Sequence, residues 1–362
     1  MTDKTIRIIL SVAVIALIVI AISILESKKP MRAESGGDLA VQESNARIDK
    51  KGKIYESAKE VSTPDGFINT SEISISELIG KKVILVDFWT YSCINCQRTI
   101  PYLNSWHEKY ADEGLVIFGV HTPEFEFEKD YENVKRAVEK FGIKYPVILD
   151  NDYSTWTAYR NSYWPRKYLI DIDGFIVYDH IGEGAYEETE KKIVEALNER
   201  SQVLGEKEVM VGESSPNVPS VDFSGIKTPE IYLGYSRLQY IANFTSPNCI
   251  DKVCDFILPD RVQLNTFVLE GKWRITPESA NLEEGPGSIV IRFSANKVNL
   301  VAGSPSGPVK AEIYLDGKFT KKVIFGEHDL YNLVDSGGEY GEHLLEIKIL
   351  NGGLQAFAFT FG

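Results

Sequence analysis

The chain has 362 residues, more than one ordinary hydrophobic core organises, and this points to two domains of conventional size. Hydrophobic residues make up 43% and charged residues 25%, which excludes a largely disordered chain, a collagen-like chain and a polytopic membrane protein. With 52 acidic against 39 basic side chains the formal charge is -13, a balance that repels phosphate backbones and argues against a nucleic-acid partner.

From Ile8 to Leu25 no charged residue occurs, and only Ser11 and Ser23 interrupt the apolar run. That length suits a bilayer span, so residues 1–25 are expected to form a single N-terminal transmembrane helix. The competing reading is a cleaved signal segment, with Lys4 and Arg7 as its basic end and Ala21-Ile22-Ser23 as its cleavage site. Either reading exports the remainder. Lys28, Lys29 and Arg32 follow the span and count against an outward C-terminus under the positive-inside rule. Residues 26–52 are polar, with no sustained apolar period, and are expected to be a tether.

Residues 53–200 alternate strand and helix patterns. Val83 to Trp89 is a nearly continuous apolar, β-branched run, the pattern of a strand covered on both faces. Ile100, Leu103, Trp106, His107 and Tyr110 then recur at helical spacing, which predicts a helix beginning near Cys96. Leu115–Val120 is a second buried strand, and Val134, Ala137, Val138 and Phe141 mark one face of a second helix. Further strands are expected over 145–149, 167–172 and 175–178, with Asp173-Gly174 as a hairpin turn, and a last helix over 187–198.

Cys93-Ile94-Asn95-Cys96 places two thiols at the start of a helix, where amide donors and the macrodipole stabilise a thiolate on the first. Cys93 is the expected nucleophile and Cys96 the resolving thiol, closing a redox-active Cys93–Cys96 disulfide after a mixed disulfide with substrate. Half of a zinc site and an inert structural disulfide are the alternatives; zinc needs two more ligands, and the second cysteine pair has the wrong spacing to supply them. Asp87 lies on the buried strand, where its raised pKa suits it to take the proton that Cys96 loses. Pro101 is expected to kink the helix that carries both thiols.

Ile84-Leu85-Val86-Asp87-Phe88-Trp89, followed by Cys93-x-x-Cys96 and Pro101, resembles the thioredoxin active-site segment. Phe88 to Cys96, Gly119-Val120-His121-Thr122-Pro123-Glu124-Phe125 and Leu149 to Tyr153 are similar to the exported C-terminal region of DipZ-type proteins. The resemblance implies a thioredoxin-like α/β fold in which Pro165 is cis and faces the dithiol, with the Trp164 backbone receiving a substrate strand. Trp89 supports the site in this reading. By the resemblance, one apolar span is expected in place of the multi-helix membrane domain of DipZ proteins, which implies a separate membrane electron donor. Related TlpA-like and ResA-like reductases often carry a glutamate where this chain has Thr99, which leaves Asp87 as leading proton acceptor and Glu124 as a weaker candidate. His121 reads as a packed or exposed loop histidine. A thiol peroxidase is the rival enzyme: Thr90 has the peroxiredoxin spacing to Cys93, but Val86 stands where that motif wants proline.

Residues 201–227 are rich in Ser, Pro, Gly and Glu and read as a linker. Beyond them, short strand-like runs from Phe267 to Phe361 with turn signals such as Asp316-Gly317 indicate an all-β jelly-roll sandwich over 228–362. By the DipZ resemblance, which continues through 228–235 and 330–334 to the terminal Gly362, this domain looks like a carbohydrate-binding module. Trp273, Tyr314, Phe319 and Tyr331 are the aromatics that could supply a sugar platform, against a docking or spacer role. An oxidising exterior favours a local disulfide between Cys249 and Cys254, with two free thiols as the alternative.

These readings combine into a membrane-tethered, extracytoplasmic thiol–disulfide oxidoreductase acting on protein thiols and disulfides, in the reducing direction, with no metal and no cofactor beyond its own dithiol. The alternative from another class is a surface binding protein that works through its sandwich and keeps Cys93 and Cys96 as a structural bridge.

Overall fold

The computed structural model describes residues 2–27, 36–212, 216, 221–244 and 249–362. The chain divides into two compact units, Met1–Tyr55 and Glu56–Gly362.

The first unit holds helices α1 (Asp3–Ser27) and α2 (Gly36–Lys51). Among the described residues no helix is long and apolar enough to cross a membrane, and the side chains of 1, 3, 5–12 and 25, within the expected span, lie outside the described ones. The expected tether differs from the structure: α2 occupies most of it. Ala40, Gln42, Glu43, Ala46, Arg47, Lys50 and Lys51 are strong helix formers, and helix propensity does not require an apolar stripe.

In the second unit, β1 (Gly66–Ile68), α3 (Ile75–Leu78), β2 (Val83–Trp89), α4 (Ile94–Tyr110), β3 (Leu115–His121), α5 (Tyr131–Lys140), β4 (Val147–Leu149), α6 (Ser154–Ala158), β5 (Arg166–Ile170), β6 (Ile176–Ile181) and α7 (Tyr186–Leu204) follow in order. The strands form one sheet in the order β1-β4-β3-β2-β5-β6, with β2, β3 and β4 parallel and β1, β5 and β6 antiparallel to their neighbours. All seven residues of β2 are buried, as its unbroken apolar run requires at the centre of a sheet covered on both faces. Ile100, Leu103, Trp106 and Tyr110 of α4 pack on one face with Leu85, Trp89 and Leu197. Phe88, Tyr159, Tyr168 and Ile170 fill the other.

The linker reading of 201–227 is corrected at its start. Helix α7 runs to Leu204, Val209 is buried in the core beneath α4, and Asn198 holds the Val209 backbone through Nδ2 (3.0 Å) and Oδ1 (2.7 Å). The Gly212 amide then donates to the Tyr110 hydroxyl at 2.9 Å. Polar composition hid an apolar anchor that only its burial reveals.

The rest is an antiparallel β-sandwich of β7 (Ile231–Tyr232), β8 (Val253–Phe256), β9 (Thr266–Ile275), β10 (Ala280–Ala295), β11 (Lys297–Gly303), β12 (Val309–Leu315), β13 (Lys318–Phe325), β14 (Asp329–Asp335), β15 (Gly341–Ile349) and β16 (Gln355–Phe361). The first turn of β10 pairs with β9 and β16, and its second half pairs with β15 beyond Gly285-Pro286. Trp273, Phe267, Phe293, Phe325 and Phe359 fill the core. A Cys249–Cys254 disulfide is present, with Cα atoms 5.6 Å apart.

The two sheets are joined by a small apolar cluster of Phe125, Val301, Phe357 and Ala358, onto which Phe127, Tyr232 and Leu330 pack. Phe127 stacks on His328 with ring centroids 4.6 Å apart and meets Phe357 edge-on at 4.7 Å. Ion pairs Arg136–Glu327 (3.0 Å) and Lys140–Asp329 (2.5 Å) flank the cluster. Their exposure makes them guides to register more than sources of stability.

Candidate active site

Cys93 is the N-cap of α4, half-buried, and its sulfur accepts the Cys96 amide at 3.3 Å. A thiolate at that position gains both the hydrogen bond and the positive end of the helix dipole. Cys96 sits one turn on, 1% exposed, beneath Cys93. Both are free thiols. Burial pushes the Cys96 thiol well above its ordinary value, and the neighbouring Cys93 and Asp87 add to the shift. The geometry therefore offers one accessible sulfur for attack and one protected sulfur held in reserve.

Asp87 lies in β2, 1% exposed, and its Oδ1 has no hydrogen-bond partner. Desolvation raises its carboxyl to about 7, against the pull of the Lys167 ammonium. Lys167 is the residue directly opposite Asp87 in the β2–β5 register, fully buried, with Nζ donating to the Gly182 carbonyl at 3.2 Å. Burial lowers its pKa, while Asp87, Cys96 and Glu183 oppose that shift. A carboxyl near 7 beside a thiol whose ionisation must be assisted is matched to proton exchange at neutral pH. Sequence reasoning missed Lys167. The signal was present: a lysine inside the apolar strand Arg166-Lys167-Tyr168-Leu169-Ile170 needs a buried counter-charge.

Pro165 is buried, its bond to Trp164 is cis, and the Trp164 carbonyl lies 3.9 Å from the Cys93 sulfur. Trp164 is fixed by its indole N–H donating to the Thr122 carbonyl at 3.0 Å. Trp89 is buried below the site, and a Cβ at Gly119 would approach its Nε1 to 3.1 Å, so this strand neighbour is kept small. Pro101 lies within α4, which continues through it to Tyr110.

Glu124 is placed differently from its expected role as proton acceptor. It borders the Cys93 cleft, but its Oε1 accepts from Arg237 Nη1 at 2.6 Å and from the Tyr232 hydroxyl at 2.8 Å, both in the sandwich half of the unit. The carboxylate is thus committed to joining the two halves. His121 is buried and neutral, burial lowering its pKa to about 3, with Nε2 at 3.4 Å from the Thr90 hydroxyl. Thr90, the residue behind the peroxidase alternative, faces this imidazole.

Glu128 is a second residue that the sequence did not single out. Fully buried, it accepts from the Ser92 amide (3.2 Å) and hydroxyl (2.7 Å) through Oε1, and from the Glu124 (2.6 Å) and Phe125 (3.0 Å) amides through Oε2. Burial nevertheless pushes its carboxyl up to about 6. It ties the residue preceding Cys93 to the loop that meets the sandwich. Tyr91 adds a direct link, its hydroxyl donating to the His328 carbonyl at 3.3 Å.

The aromatic platform expected on the sandwich does not form as a set. Trp273 is fully buried in the core, its indole N–H bonded to the Glu270 carbonyl at 2.8 Å, because a large residue on an inward-facing strand position fills the core. Tyr331 packs against the same core, and Tyr314 and Phe319 meet edge-on at 72° rather than in one plane. Among the described residues no cluster of side chains could hold a metal ion.

Residues 54–179 match the AhpC/TSA family, and residues 228–362 match the family described as Thioredoxin like C-terminal domain. Protein DipZ of Mycobacterium tuberculosis is 36% identical over 301 residues, 82% of this chain and 41% of that protein. The thiol-disulfide oxidoreductase YkuV of Bacillus subtilis is 29% identical over 147 residues, 41% of this chain and 98% of that protein. A solution structure of a thioredoxin-like protein in the oxidised form is 28% identical, covers 41% of this chain and 98% of its own, and superposes with a TM-score of 0.38. The chain spans 41% of the length of the DipZ proteins it matches. The chain thus matches, in order, the AhpC/TSA family and the thioredoxin-like C-terminal domain, is similar to the DipZ proteins over most of its own length, and has relatives named as thiol–disulfide oxidoreductases.

Proposed function

We propose that this chain reduces disulfides of protein substrates by dithiol exchange at Cys93 and Cys96. The observation that carries the reading is the asymmetry of the pair: Cys93 half-buried at a helix N-cap, Cys96 buried with a raised pKa beside Asp87. The Cys93 thiolate attacks one sulfur of a substrate disulfide, forming a mixed disulfide and releasing one substrate thiolate. Asp87 takes the proton of Cys96, whose sulfur then attacks Cys93, releases the second substrate thiol and closes the Cys93–Cys96 bond. Two electrons pass to the substrate, and an external dithiol returns the pair to its reduced state.

In this reading a helix containing Ile8–Leu25 tethers the protein to a membrane, and the catalytic unit faces an extracytoplasmic, oxidising space. The Cys249–Cys254 bridge supports that location, since such bonds persist outside the reducing cytosol. A separate electron donor in the membrane supplies the reductant.

The reduction potential of the dithiol tests direction, with Cys93→Ser as control. A value near about -270 mV supports a reductase, whereas one near about -120 mV reverses the proposed electron flow. Turnover of peroxide at the expense of disulfide exchange would favour the peroxidase instead. Membrane extraction of the whole chain, combined with labelling of Cys93 by an impermeant thiol reagent on intact cells, tests tether and sidedness together.

A further inference from the structure

The cleft that opens on Cys93 has two walls from different halves of the unit. One side is Asn95, Tyr163 and Trp164 beside the nucleophile; the other is Phe223, Tyr232 and Arg237. Its volume is about 560 Å³, the scale of a pocket that holds a small ligand or a few residues of chain, and far too small for the face of a folded domain. The sandwich is therefore part of the surface that a substrate meets.

Charge narrows the occupant. Among the described lining residues, Glu124 and Glu230 are carboxylates and Arg237 is the cation. Arg237 is already paired with Glu124 at 2.6 Å and stacked on the Tyr232 ring at 3.6 Å. The Tyr232 hydroxyl lies 2.8 Å from Glu124 and 2.7 Å from Glu230, and burial beside Glu124 pushes the Glu230 carboxyl up to about 7, so Glu230 carries its full negative charge above neutral pH. An anionic small thiol such as glutathione, with two carboxylates on each half of its disulfide, finds no unpaired cation among the described lining residues. A neutral or basic polypeptide meets no such repulsion, and its backbone can lie along the Trp164 carbonyl, 3.9 Å from the Cys93 sulfur. Phe223, 54% exposed at the rim, offers apolar contact to neighbouring side chains.

Resting on the reading of Cys93 as attacking thiol, we propose that the sandwich wall selects substrate: the cleft takes an extended, neutral or basic polypeptide carrying the disulfide and rejects anionic small-molecule disulfides. Phe223 and Glu230 are specificity-determining residues, Phe223 by contact with the peptide and Glu230 by repulsion of anions.

The test is single-turnover reduction at pH 8, where Glu230 is ionised, by the full chain, pre-reduced, of two probes: a linear, weakly basic peptide dimerised through one disulfide, and glutathione disulfide. The peptide should react at least about tenfold faster. Phe223→Ala should lower the peptide-to-glutathione rate ratio about tenfold, as loss of an aromatic contact does at a binding surface. Glu230→Gln should lower the same ratio about threefold by speeding the anionic probe. Phe223 is exposed, and Gln at 230 is isosteric and still accepts from the Tyr232 hydroxyl, so the variants keep the fold. Equal rates for the two probes in the parent chain, or a ratio that neither variant moves, would overturn the proposal while leaving dithiol exchange intact. If reduced Cys93 reacts with neither probe, the oxidoreductase reading itself fails and the selectivity proposal falls with it.

Discussion

Replacing Asp87 by Asn separates the energetic cost of this acid from its use. Moving the carboxyl from its ordinary value of 3.8 to about 7 means that the folded protein holds the proton more tightly than the unfolded chain. With a raised acid, the favourable contribution is complete below pH 3.8, is lost as pH rises towards 7, and stays lost above it. The range corresponds to about 4 kcal/mol of stability lost at pH 8. Asn removes the charge at nearly constant volume, but it leaves the buried Lys167 ammonium without the carboxylate that opposes its desolvation. A net gain of about 2–4 kcal/mol at pH 8 is expected, shrinking towards zero near pH 4. Guanidinium unfolding of the full oxidised chain, followed by tryptophan fluorescence, measures this directly, because Trp89, Trp106, Trp156 and Trp164 all lie in the thioredoxin-like half. The same variant should slow release of the second substrate thiol on the order of 100-fold at neutral pH, the usual scale for a lost general base. A variant less stable than the parent at pH 8, or a difference that does not vary with pH, would refute the assignment of the raised pKa to desolvation.

Brief iodoacetamide treatment of the reduced chain at pH 7 should label Cys93 and spare Cys96, as read by peptide mass spectrometry; comparable labelling of both would contradict the burial and raised pKa of Cys96. Gly119→Ala should cost about 1–3 kcal/mol by overpacking against Trp89 and Tyr145, measured as a fall in the unfolding midpoint. Glu128→Gln leaves four donors facing an amide that can accept through one oxygen only, and it should cost about 3 kcal/mol and lower the rate at Cys93, with Glu128→Asp recovering part of both. Converting Cys249 and Cys254 together to Ser should lower sandwich stability by about 2 kcal/mol, the chain-entropy expectation for so short a loop, and calorimetry of the full chain should place the loss in the sandwich transition.

The parts of the site legible in the sequence are those whose causes are local. A continuous apolar strand, an acid within it, and two thiols at a helix start all follow from period and spacing, so β2, α4, Cys93, Cys96 and Asp87 could be placed from the residues alone. Lys167 becomes meaningful only when antiparallel register sets it opposite Asp87. Glu124 misled for the same reason: its loop does border the dithiol, but the partners that hold its carboxylate, Tyr232 and Arg237, lie more than one hundred positions away. Trp273 was legible as an aromatic on a strand, while which face it takes depends on sheet packing that periodicity does not resolve in a two-layered sandwich.

Glu124 and Glu128, which the sequence misassigned or passed over, both lie at the seam between the two halves, and this bears on what the sandwich contributes. A spacer would need no contact with the active-site loop. Here Tyr91, two residues before Cys93, bonds to His328 of the sandwich, Glu128 holds Ser92, and the same short segment, 124–128, carries Phe125 and Phe127 into the joining cluster and Glu124 onto Arg237. Moving the sandwich would therefore strain the hydrogen bonds that position Ser92, so substrate contact on the far wall and the geometry of the nucleophile are mechanically linked. Severing the seam with Phe357→Ala should test that link: if the sandwich is a passenger, Cys93 alkylation rates stay as in the parent, and if it braces the loop, they change while the thioredoxin-like half remains folded by tryptophan fluorescence.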